Sequence, residues 1–96
     1  MSGPRVPDTA ALALVAYMKG KELAEVHLRP AHPVRLGIIY HLSVLYEEIL
    51  KERKKAIEIN HKAFDLAIGD LEHLSNESYK DSALILQLMR PLYFNI

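Results

Sequence analysis

The chain contains no cysteine, little glycine and proline, and no excess of charge of either sign: twelve basic residues balance twelve acidic ones. Each shortage removes a class of protein. Without cysteine there is neither a disulfide framework nor a thiolate metal site, so a reducing compartment suits the chain and a cytoplasmic location is the expectation. A neutral chain lacks the strong basic field on which nonspecific nucleic-acid binding depends, and no RNA- or DNA-reading motif is present, so nucleic acid is not an expected partner. The unbroken apolar run Ala10 to Met18 has nine residues, far fewer than the roughly 20 that span a bilayer, so no membrane partner is expected either. Arg5 precedes that run, but Asp8 and two prolines spoil a signal-peptide n-region, and Lys19-Gly20-Lys21 stands where a small-residue cleavage site belongs. The start Met-Ser-Gly also lacks the second-position glycine of a myristoylation signal. Strand alternation, a glycine-rich phosphate loop and low-complexity segments are all missing.

Half of the 96 residues are hydrophobic and a quarter are charged, the balance of a helix-rich globular chain. A chain this short buries only about two-thirds of the surface it exposes when unfolded, so its core is thin. Residues 1–8, with Gly3, Pro4 and Pro7, read as an irregular arm. Thr9 is the expected N-cap of a first helix over about 9–28, and Pro33 suits the first turn of a second over about 33–50. Val34, Leu36, Ile38, Ile39, Leu42, Val44, Leu45, Ile49 and Leu50 project from that second helix in almost every direction, so it needs neighbours on most of its sides. Ala56, Ile57, Ala63, Phe64, Ala67, Ile68, Leu71 and Leu74 mark the apolar stripe of a third helix over about 54–74. A Ser78/Asp81 capping-box pattern announces a fourth over 78–90, and Pro91 is expected to end it. The fold class that follows is all-α, four helices made antiparallel by short connections, with residues 91–96 a separate tail.

Chemistry is sparse. His61 and Asp65 form the only histidine–acid pair at i, i+4 beside a polar face, and the further ligands that a metal site needs are missing, so neither metal nor cofactor is expected. Ser43, Ser78 and Ser82 have no nucleophile motif around them, and catalysis is not expected. Lys51-Glu52-Arg53-Lys54-Lys55 reads as a solvated charged connection rather than an anion site.

Taken together, Pro30-Ala31-His32-Pro33-Val34-Arg35-Leu36-Gly37, Leu42-Ser43-Val44-Leu45-Tyr46-Glu47-Glu48-Ile49-Leu50, Ala63-Phe64-Asp65-Leu66-Ala67-Ile68 and Ser78 to Arg90 resemble the 14-3-3 proteins. The resemblance runs without a gap from about Pro30 to Arg90. It implies a nine-helix, all-α adaptor fold that dimerises through its first four helices and holds phosphoserine or phosphothreonine peptides in a concave groove. This chain looks like helices six to nine of that fold. In the family, Lys, Arg, Arg and Tyr on helices three and five clasp the phosphate by charge-assisted hydrogen bonds, and no position here matches them.

The opposite, apolar groove wall carries over to Val44, Leu84, Ile85 and Leu88. The family's peptide-binding Asn falls at His41 and the Leu beside it at Tyr40, while Glu48 matches an acidic neighbour of the missing basic cluster. A second clamping Asn falls at Leu92, and the groove-edge Leu and Trp fall at Asn95 and Ile96. The resemblance therefore implies a noncatalytic adaptor, truncated, with phosphorylated clients by kinship but impaired phosphopeptide binding. Self-association, or pairing with a longer chain of the family, is expected from uncovered apolar surface. A phosphate-independent tetratricopeptide-like interaction module and a nonfunctional truncated product are the alternatives.

Overall fold

The computed structural model describes residues 6–93. They form α1 (Val6–His27), α2 (Pro33–Val44), α3 (Arg53–Ile68) and α4 (Asn76–Tyr93), with a π-helical turn, Leu45–Ile49, continuing α2 and a short 3-10 turn, Leu71–His73, after α3. No strand occurs among the described residues, and the all-α, four-helix reading holds. Its boundaries shift for identifiable reasons.

α1 begins at Val6 and runs through Pro7, a residue whose fixed φ suits a first helical turn. Thr9 is therefore interior and not a cap, and the end of the expected arm is helical; residues 1–5 lie outside the described residues. α2 starts as expected at Pro33, capped by His32, whose Nδ1 accepts the Val34 N–H at 3.1 Å. α4 is capped by Ser75, whose Oγ accepts the Ser78 N–H at 3.2 Å, so the cap stands three residues before the expected Ser78. α3 stops at Ile68 and not near Leu74, because Asp70 is drawn out of the helix. Its carboxylate accepts the Arg29 guanidinium at 2.9–3.2 Å and the buried Ala31 N–H at 3.0 Å. Those bonds, the Arg29 ones foremost, hold the Asp70 carboxyl below the ordinary carboxylate range. The Ser82 hydroxyl donates to the Ala31 carbonyl, and Arg35 donates to the Leu28 carbonyl at 2.9 Å. The α1–α2 connection is thereby fastened both to the α3–α4 connection and to α4.

Pro91 does not end α4, which continues to Tyr93. A proline inside a helix forfeits one backbone bond and crowds the preceding turn, at a cost of about 3 kcal/mol. Leu92 supplies the opposing effect: only 8% exposed, it joins a core cluster with Leu42, Leu45, Tyr46 and Ala56. Burying a leucine contributes roughly 1.5–3 kcal/mol, enough to keep the last turn wound. Asn95 and Ile96 lie outside the described residues.

α2 is the central helix, packed against α1, α3 and α4. Leu36 and Ile39 enter one cluster with Ala31, Ala67, Leu86 and Met89, and Leu42, Leu45 and Tyr46 enter the other. The apolar surplus read along α2 is thus mostly absorbed by three neighbours. The larger exposed surplus sits on α1, where Leu12, Val15, Met18, Leu23 and Val26 all face outward.

Candidate functional site

Two helical strips lie on the neighbouring helices α2 and α4. Gly37, His41 and Val44 recur at i, i+4 and i+7 on α2, and Leu84, Ile85 and Leu88 share a face of α4. The two helices adjoin here: a Cβ placed on Gly37 would stand 4.0 Å from Ile85 Cδ1, an ordinary van der Waals contact. Ile85 packs partly against the first core cluster, whereas Leu84 and Leu88 remain 63% and 56% exposed. Val44 is half-buried at the C-terminal end of its strip. Six of the seven expected residues lie on α2 and α4, and four of them, Val44, Leu84, Ile85 and Leu88, are the aliphatic ones.

The other three are placed differently. Tyr40 is half-buried and packs on the first core cluster, so it supports the wall more than it lines it. His41 is exposed, its ring stacked on Tyr17 of α1 at 6.0 Å between centroids and met edge-on by Tyr40 at 5.5 Å. Its Nδ1 lies 2.7 Å from the Gly37 carbonyl, which only accepts, so Nδ1 carries the proton and Nε2 of the neutral ring is an acceptor. An asparagine amide both donates and accepts, whereas an imidazole whose Nδ1 already donates to its own helix has only Nε2 left to offer. Glu48 is exposed within the π turn, whose wider winding is fixed by the Leu50 N–H bonding the Leu45 carbonyl at 3.0 Å. Further along α4, Leu92 has turned into the core and offers the strip neither a side chain nor an amide.

Several of the described cations are engaged away from the strip. Arg53 pairs with Glu47, and the Lys55 ammonium sits 5.6 Å above the Tyr46 ring. Lys21, Arg35 and Lys62 converge on a cavity of about 180 Å³, but Glu25 and Glu58 line it too, and Lys21 is bonded to Glu25 at 2.9 Å. On α2 the helical spacing puts Arg35, beside Ile39 in that cavity, on the side opposite the His41–Val44 strip. His61 Nδ1 and Asp65 Oδ2 are 3.2 Å apart, and no group of three metal-ligating side chains occurs among the described residues. No helix among them is long and apolar enough to cross a membrane.

Sequence reasoning missed the placement of Tyr17 against His41. The Tyr17 stack depends on tertiary placement and left no local trace.

The class defined by these features is an all-helical bundle with an open apolar strip across two adjoining helices. The chain belongs to the 14-3-3 family: the family model described as 14-3-3 protein matches residues 2–92, further in both directions than the stretch Pro30 to Arg90. The chain is 47% identical to 14-3-3-like protein B of Hordeum vulgare, over 93% of its own length and 34% of that protein. With a 14-3-3 protein homolog of Trichoderma harzianum the identity is 48%, over 92% of this chain and 34% of the relative. With 14-3-3 protein beta/alpha-A of Xenopus laevis it is 44%, over 93% and 36% respectively. The chain spans about a third of the length of the curated relatives it matches.

Proposed function

We propose that the chain is a noncatalytic protein-binding adaptor segment of the 14-3-3 kind, which takes an extended apolar client segment along Val44, Leu84, Ile85 and Leu88 without discriminating phosphorylated from unphosphorylated forms. Leu84 and Leu88 support the reading most directly: two large apolar side chains on one face of α4 stay more than half exposed while Leu86 and Met89 of the same helix are buried. His41 Nε2, with its proton fixed on Nδ1, accepts one N–H of the client backbone beside them. Apolar contacts cannot tell a phosphoserine from a serine, and the cations Lys21, Arg35 and Lys62 lie across α2, interleaved with acids. Any phosphorylated client is therefore held weakly and through its apolar flanks.

Fluorescence anisotropy with a phosphoserine peptide and its unphosphorylated twin tests this. The two are expected to bind with the same affinity, within about twofold, and both to be weakened by Leu88→Asp. A tenfold preference for the phosphorylated peptide, a difference of about 1.4 kcal/mol, contradicts it.

A further inference from the structure

α1 is apolar on two opposite faces. One is used: Ala10 and Ala24 are buried, and Ala13, Leu14 and Tyr17 pack against the second core cluster. The other faces solvent, with Val15 68% and Val26 77% exposed and Leu12 exposed beside them. Along that outer face Leu12, Val15, Lys19, Glu22 and Val26 follow a 3, 4, 3, 4 spacing, the repeat of a two-helix seam. Lys21 and Glu25 pair with each other within the helix at 2.9 Å, whereas Lys19 and Glu22 occupy the middle of the seam itself.

The order of those charges selects the occupant and its direction. A second copy of α1 laid antiparallel, with Val15 across from Val26 of that copy, sets Lys19 across from Glu22 of the copy, and the two-fold axis repeats both pairings. A parallel copy sets Lys19 on Lys19 and Glu22 on Glu22, which repel. Charges at seam positions contribute little affinity but strongly specify register and orientation. From this geometry we infer that the outer face of α1 is a self-association surface, joining two copies of the chain as an antiparallel helix pair about the Gly20–Lys21 midpoint. It is separate from the α2–α4 strip and leaves Leu84 and Leu88 free in both copies.

Sedimentation velocity on the purified 96-residue chain, over about a hundredfold range of concentration, is expected to show a reversible shift from one chain to two. Lys19→Glu and Glu22→Lys each create two facing like-charge pairs and are expected to raise the dissociation constant about tenfold or more, while the double variant restores it. All these side chains are exposed, so thermal unfolding of each diluted variant is expected to stay unchanged. Because the chain has no cysteine, covalent trapping gives an independent reading. The Val15→Cys, Val26→Cys double variant is expected to form an interchain disulfide, and Val15→Cys alone is not. Within one helix, positions 15 and 26 stand about 16 Å apart, beyond the reach of a disulfide. A monomer at every concentration, self-association indifferent to the charge exchange, crosslinking by Val15→Cys alone, or pairing solely with a longer family chain each overturns the inference.

Discussion

Asn60 is the least explicable residue in the packing of this chain, and replacing it should make the protein more stable. Its side chain is completely buried on the inner face of α3, and neither Nδ2 nor Oδ1 has a hydrogen-bond partner among the described residues. An amide withdrawn from water without compensation costs about 1–3 kcal/mol. In Asn60→Ala that cost disappears and helix propensity improves by roughly 0.5 kcal/mol. Against this, the removed atoms leave a small void worth on the order of 1 kcal/mol. The net expectation is a gain of about 0.5–2.5 kcal/mol. For a domain of this size each kcal/mol moves the midpoint by about 4–8 °C, so thermal unfolding followed by circular dichroism should shift upward by roughly 2–20 °C. Both proteins must be compared at the same low concentration, since self-association raises an apparent midpoint by mass action. A loss of 1 kcal/mol or more would refute the reasoning, because it would require the amide to make bonds worth more than the void.

Other substitutions probe the remaining claims. Asp70→Ala should cost about 1–3 kcal/mol, chiefly from the buried Ala31 N–H left unpaired, as measured by urea unfolding. The folded Asp70 carboxyl is depressed below its unfolded value of about 3.9, so its contribution is present above that pH and is lost as pH falls through the lower folded value. The wild-type chain should accordingly lose stability more steeply than Asp70→Ala below about pH 4. Leu92→Asn puts an amide into the second core cluster and should destabilise by about 2–4 kcal/mol, whereas no loss would mean that Leu92 lies on the surface. Pro91→Ala should stabilise by up to about 3 kcal/mol with little change in helical ellipticity, since the helix already passes through that position.

Much of the architecture was legible because the helices carry local signals. Pro33 set the start of α2 to the residue, and the apolar stripe Ala56 to Ile68 marked most of α3. What failed were boundaries decided by distant partners. Ser78 carries a capping pattern, but Ser75 stands at the position where the chain actually enters α4, and either serine satisfies the local rule. Pro91 reads as a stop until Leu92 is known to have a pocket among Leu42, Leu45 and Tyr46, contacts more than forty residues away in sequence. Asp70 looks like a helical residue until Arg29 and Ala31 are brought beside it. The candidate wall was legible through kinship at Val44, Leu84, Ile85 and Leu88. Periodicity alone shows these residues only as apolar, and cannot say that Leu84 and Leu88 face outward while Leu86 and Met89 face in. The exposed stripe of α1 was hidden for a related reason: nine apolar residues in a row have no distinguishable faces until one side is packed.

The central proposal is that client recognition resides in the strip on α2 and α4 and works through apolar contacts, not through a phosphate clasp. An amide chemical-shift titration of the labelled chain with an unphosphorylated apolar peptide tests it residue by residue. The account predicts perturbations concentrated at Gly37, His41, Val44, Leu84, Ile85 and Leu88, unchanged when the peptide is phosphorylated. Perturbations centred on Lys21, Arg35 and Lys62 and seen only with the phosphorylated peptide would contradict it.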